Sequence, residues 1–148
     1  MIVLDAYAVL ALLKGEPAAG PVRRLLEGDE GSSLTVLGIA EVLDHLVRIV
    51  GASDEDAALD LAQLGVAEPA PLHAPVAMQA GLLRARHYHR RDRVVSLADC
   101  VAAETARSSG VPLTSADPHL LNLCADEGID LLPLPDSKGR SRKPGAAK

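Results

Sequence analysis

Four short apolar runs, separated by stretches with helical spacing of their apolar residues, leave this 148-residue chain few folds to choose from. The runs are residues 2–4, Ser32 to Val36, Val111 to Ser115 and Ile129 to Leu134. Between the first two, a helical pattern carries Leu10 and Leu13 and stops at Gly15, and Pro17 to Glu27 reads as a second helix ending at Gly28. Leu37 to Val50 is the next helix, closed by Gly51. Ser53 opens another, with Asp54, Glu55 and Asp56 in the first turn, where negative charge suits the helix dipole. A proline bend at Pro69 and Pro71 leads into a helix from His73 to His89. Ser96 to Ser108, and Asp117-Pro118 through Glu127, complete the helical set. Strands too short and apolar to stand at a surface, alternating with helices, predict a three-layer α/β sandwich around a mostly parallel sheet.

The chain has two tyrosines and neither phenylalanine nor tryptophan, so the core must be built of Leu, Val, Ile and Ala. Cys100 and Cys124 fall within apolar helical patterns and read as buried thiols in a reducing compartment. The N-terminus lacks a basic region, and Asp5 interrupts its apolar run, so no signal peptide is expected. No apolar segment approaches the roughly 20 residues of a membrane span. A cytoplasmic, membrane-free protein is the expectation.

The net charge of −5 conceals an asymmetry, because the last thirteen residues carry five Lys/Arg and one Asp. Residues 136–148 lack apolar periodicity and read as a basic, disordered tail behind a single domain of residues 1–135. The body is acidic, and five of its basic residues crowd into Arg84, Arg86, Arg90, Arg91 and Arg93. An acidic body with one arginine cluster does not suit general nucleic-acid binding; it suits local grip on an anion.

Four acids have local structural roles open to them. Asp5 and Asp117 stand between a strand and a helix, where Asp is a good N-cap, and Pro118 suits the first helical position. Ser96 and Asp99 have capping-box spacing, and Glu41 shares a solvated stripe with Asp44, His45 and Arg48. Yet Asp5 and Asp117 both follow strands, and in an open parallel sheet the carboxyl ends of the strands line one crevice. If the helix starts carrying Asp99 and Glu41 face that edge, four carboxylates meet. Two carboxylates about 4–5 Å apart repel by roughly 4 kcal/mol at an effective dielectric near 20, so protons or a hard cation must settle there. Oxygen-only ligands favour Mg²⁺ or Mn²⁺ over zinc.

Val3-Leu4-Asp5-Ala6, Gly38-Ile39-Ala40-Glu41-Val42, Ser96-Leu97-Ala98-Asp99 and Thr114-Ser115-Ala116-Asp117-Pro118-His119-Leu120 resemble, in order, the four acidic motifs of the PIN-domain family. The resemblance spans about residues 1–134, and the short chain looks most like the VapC toxins. It implies a metal-dependent endoribonuclease, the toxin of a toxin–antitoxin pair. Asp5 and Asp99 would be primary ligands of Mg²⁺ or Mn²⁺, Glu41 and Asp117 would complete the site, and Ser115 would support it. In-line hydrolysis of RNA would leave a 5′-phosphate and a 3′-hydroxyl. A second copy of the chain and a cognate antitoxin would be its protein partners.

Two positions depart from the family pattern. Tyr7 replaces the usual Ser, Thr or Asn after the first Asp, and Gly38 the polar residue before the Glu. The arginine cluster, just ahead of Asp99, is the candidate for gripping RNA phosphates, with a solvated helix face as the alternative reading. His87 and His89 read as surface residues of a helix end, and His45 and His119 as exposed. Asp5-Ala6-Tyr7 fails the Asp-x-Asp test of dehalogenase-type phosphatases, and no glycine-rich phosphate loop is present. A catalytically silent binding module and a small-molecule phosphatase remain as rival classes.

Overall fold

A computed structural model of the chain describes residues 1–69 and 71–141. The central strand is the first one. All of β1 (Ile2–Leu4) is buried, and its alternating side chains enter two separate cores, Val3 on one face and Ile2 with Leu4 on the other. Strand β2 (Ser32–Leu34) pairs with one edge of β1, and β3 (Leu113–Ser115) with the other edge. The last strand, β4 (Leu131–Pro133), joins β3, and the sheet runs β2-β1-β3-β4 with all pairs parallel.

Helices cover both faces. Against Ile2 and Leu4 pack α1 (Ala6–Lys14), α2 (Ala19–Glu27), α3 (Val36–His45) and α4 (Asp54–Ala62), through Ala8, Val9, Val22, Val42 and Ala57. Against Val3 and Leu113 pack α5 (Ala74–His87), α6 (Leu97–Ser109) and α7 (Pro118–Glu127), through Leu83, Cys100, Ala103, Leu120 and Leu123. The expected α/β sandwich is thus realised, with aliphatic side chains in place of aromatic ones. No helix among the described residues is long and apolar enough to cross a membrane.

The strand order places the crevice. The chain leaves β1 for β2 on one side and leaves β3 for β4 on the other, so the carboxyl ends of β1 and β3 open onto a topological switch point. Asp5 follows β1 there, and Asp117 lies two residues past β3.

Several expected boundaries move. The second strand stops at Leu34 because Thr35 turns its hydroxyl to accept the Gly38 N–H at 3.0 Å, capping α3. Its helix does not run uniformly to Val50: residues Leu46–Val50 widen into a π-helical turn, ended by Gly51 in the left-handed region. The helix from residue 74 ends at His87 rather than His89, because Tyr88 is extended and His89 pairs with Arg93 across a tight turn. Asp136 to Arg140, assigned to a structureless tail, form a turn in which the Asp136 carboxylate accepts from Lys138 N, Arg140 N and Arg140 Nε. The rest of that expected tail, residues 142–148, lies outside the described residues.

Leu120 is fully buried in the first turns of α7 and holds the helix that begins at Asp117. Leu120→Ala is expected to cost about 2–5 kcal/mol of unfolding free energy in urea melts. A loss under about 1 kcal/mol would contradict this packing.

Candidate active site

Asp5 is a carboxylate that the fold buries on purpose-built hydrogen bonds. Its backbone N–H donates to Thr114 O at 3.2 Å, continuing the β1–β3 ladder. One side-chain oxygen accepts from Ala8 N at 2.9 Å, capping α1, and the other accepts the Ser115 hydroxyl at 2.5 Å. The same hydroxyl oxygen accepts from Asp117 N at 3.0 Å, so Ser115 links the two aspartates across the crevice. Only 6% of Asp5 is exposed, and burial pushes its pKa up to about 7. The bonds from Ser115 and Ala8 oppose that rise, while the charges of Asp99 and Asp117 add to it.

Asp99 arrives from the opposite face. It closes a capping box at the start of α6: Ser96 Oγ accepts from Asp99 N at 3.0 Å, and the Asp99 carboxylate accepts from Ser96 N at 2.9 Å. Half-buried, it has a pKa raised by desolvation and further by Asp117, with a lowering contribution from His119. Asp117 caps α7, accepting from His119 N at 2.9 Å. Glu41, in the second turn of α3, is the accessible member, and desolvation followed by the charge of Asp99 raises its pKa too. Capping and clustering are therefore compatible: three helix starts bring three capping aspartates to one place. Among the described residues, the causes of the shifts at Asp5, Glu41 and Asp99 include no lysine or arginine.

The other predicted residues divide. Arg84 Nε donates to Val95 O at 2.8 Å, and its guanidinium lies 4.3 Å from the Tyr88 ring centroid. Arg86 pairs with Glu127 at 3.5 Å, and Arg93 with Asp126 at 2.7 Å. Arg84 and Arg93 hold the α5–α6 connection, and Arg86 ties α5 to the end of α7. Arg90 and Arg91 are exposed at the tip of the turn between His89 and Arg93 and make no ion pair among the described residues. His87 is no simple surface residue: its Nδ1 accepts from Arg93 at 3.0 Å, so its Nε2–H donates to Glu127 at 2.5 Å. His119 and His45 are half-buried rather than exposed. The expectation of an exposed His119 fails because its ring packs toward the Asp92 carbonyl, 27 residues earlier, a contact that its place in the first turn of α7 does not announce.

The two departures acquire physical reasons. The Tyr7 hydroxyl donates to Pro135 O at 3.1 Å and ties α1 to the chain after β4. At Gly38 a Cβ would stand 3.2 Å from Leu34 Cδ2, so the packing of α3 on β2 leaves little room for a larger polar side chain.

The donor set fits a hard divalent cation in its chemistry, since it offers carboxylate oxygens, and neighbouring carboxylate charge helps to raise the pKa of Asp5, Glu41 and Asp99. Among the described residues no three acid, imidazole or thiol groups form a ready-made metal cage. An ion held here would therefore reach some of these carboxylates through its own water.

The Asp5 shift has a stability consequence. Its pKa in the folded chain, about 7, lies above the ordinary 3.8. Between those values the unfolded chain releases a proton that the native chain keeps, so stability falls as pH rises through the window. Asp5→Asn can still accept from Ala8 N and donate to Ser115 Oγ. It should remove this slope in EDTA and unfold later than wild type at about pH 8, by on the order of 4 kcal/mol at most. Parallel stability–pH curves for the two proteins would contradict the shift.

The PIN domain family model matches residues 2–125 of the chain. Among solved structures, VapBC2 from Rickettsia felis bound to a DNA fragment from their promoter is similar, with TM-score 0.67 and 15% identity over 90% of this chain and 99% of that one. FitAcB from Neisseria gonorrhoeae has TM-score 0.64 and 18% identity over 89% of this chain and 96% of that one. FitAB bound to an IR36 DNA fragment has TM-score 0.65 and 17% identity, covering 90% and 94%. No curated protein matches the sequence. At these identities the structures share the fold, and the family match covers most of the chain: it belongs to the PIN domain family, whose members are generally nucleases.

Proposed function

We propose that this chain is a Mg²⁺- or Mn²⁺-dependent endoribonuclease, the toxin of a type II toxin–antitoxin pair. The observation that carries the reading is geometric: Asp5, Asp99 and Asp117 stand at three helix starts by the sheet's switch point, Ser115 bonds both Asp5 and Asp117, and among the described residues no lysine or arginine forms an ion pair with them or with Glu41. A site of this kind invites a cation. The VapBC2 and FitAB structures of like fold, both solved with DNA, support the toxin–antitoxin context and an antitoxin partner; a second copy of the chain is proposed from the family resemblance.

Asp5 and Asp99 are the proposed ligands, with Glu41 and Asp117 completing the shell. A bound divalent ion supplies positive charge at the scissile phosphate and a lowered pKa for the attacking water. Ser115 fixes the Asp5 carboxylate by donating to it, and the α1 N-terminus does the same through Ala8 N. Within the cluster, Arg90 and Arg91 are exposed and outside the ion pairs, and they are the proposed grip on phosphates beside the cut. With only two tyrosines in the chain, Tyr7 half-buried and Tyr88 holding Arg84 against one ring face, stacking on bases has little to offer, and recognition rests on RNA shape and backbone.

Structured RNAs incubated with Mn²⁺, Mg²⁺ or EDTA test the reading. Wild type should cut with either metal, and Asp99→Asn, which keeps its cap to Ser96, should cut at least about 100-fold more slowly. Undiminished cutting by that variant would remove Asp99 from the site. RNA binding without cleavage under any metal would return the chain to the silent-module class.

Metal uptake should also depend on pH. The proton on Asp5 must leave before its carboxylate can serve as a ligand, so Mn²⁺ affinity should rise with pH through about 7. Calorimetry in two buffers of different ionisation enthalpy should show proton release on binding at mildly acid pH. A pH-independent affinity over that range would place the ion elsewhere.

A further inference from the structure

Resting on the ribonuclease reading, we infer that His119 is a positioning residue: its Nδ1–H, donated to the Asp92 carbonyl, holds the Arg90–Arg91 turn beside the carboxylate site. The bond is 3.2 Å long, and because a carbonyl oxygen can only accept, Nδ1 must carry the proton. His119 is joined to the site at its other end. Its backbone N–H donates to the Asp117 carboxylate at 2.9 Å. One side chain thus spans from the carboxylates to the arginine turn.

The turn itself is built to be rigid. His89 and Arg93 exchange backbone hydrogen bonds of 2.9 and 3.1 Å. His89 Nδ1 accepts from both Arg91 N and Asp92 N, each at 3.1 Å, which closes the tip. Below it, Arg93 lies between His87 and Asp126. These bonds define the shape of the turn and fasten it to its own flanks and the end of α7. The His119 bond connects the tip with the start of α7, where Asp117 stands. Without it, Arg90 and Arg91 keep their charge but lose their fixed distance from the scissile phosphate, and binding must then order them.

The test exploits amide isosteres. The Asn side-chain nitrogen falls near the place of His Nδ1, whereas the Gln nitrogen falls near Nε2. His119→Ala and His119→Gln should speed hydrogen exchange at the amides of residues 89 and 91–93, and His119→Asn should restore wild-type protection. In binding to a labelled RNA oligonucleotide in EDTA, His119→Ala should weaken affinity about fivefold, and His119→Asn should not. In a background of Arg90→Ala with Arg91→Ala, His119→Ala should add nothing, because its effect runs through those arginines. Unchanged exchange in His119→Ala, failure of Asn to rescue, or an undiminished effect in the arginine-free background would each overturn the proposal. If wild type binds no RNA, the ribonuclease reading fails and the clamp loses its purpose. The exchange data would still show whether His119 holds the turn.

Discussion

The hydrogen bond from Ser115 to Asp5 joins the two strands on which this structure is organised. β1 and β3 are neighbours in the sheet, and their connections leave in opposite directions. A buried carboxylate at their joint is costly to desolvate, and the Ala8 N–H and the Ser115 hydroxyl offset only part of that cost. The result is an aspartate poised between protonated and ionised states near neutral pH. Folding the sheet in this order therefore creates the chemical demand that a cation would satisfy.

The same economy runs through the neighbouring acids. Asp5, Asp99 and Asp117 each accept a backbone N–H in the first turn of a helix, so the positive ends of three helix dipoles face the cluster. Those hydrogen bonds fix each carboxylate's position without neutralising it. Glu41, one turn deeper in α3, lacks a capping bond and is the most accessible of the four. Three carboxylates held by backbone hydrogen bonds and one exposed carboxylate would suit a hard divalent ion that keeps part of its water.

Much of the fold could be read from residue order, and the reason is physical. Strands buried on both faces are apolar without alternation, and Gly15, Gly51, Gly110 and Gly128 stand at helix ends in the left-handed conformation that glycine tolerates best. The site was legible only as four acids at expected helix starts, because sequence order does not tell which ends share an edge; the strand order does. Where the reading went astray, tertiary context had the deciding role. Thr35 and Val36 are β-branched and look like strand, yet the Thr35 hydroxyl caps α3 and ends β2. The arginines form one cluster in sequence, but acids at the end of α7, some thirty residues away or more, engage Arg86 and Arg93 and leave the turn tip to Arg90 and Arg91. His119 has meaning only beside Asp92, a contact no local pattern announces.

The most direct measurement of the central claim is an NMR titration of the Asp5 side-chain carboxyl carbon, with and without Mg²⁺. A shared carboxylate well predicts a midpoint near 7 in EDTA that moves well into the acid range when Mg²⁺ is present. A midpoint at the ordinary 3.8, unmoved by Mg²⁺, would show Asp5 to be a simple helix cap and would contradict the account.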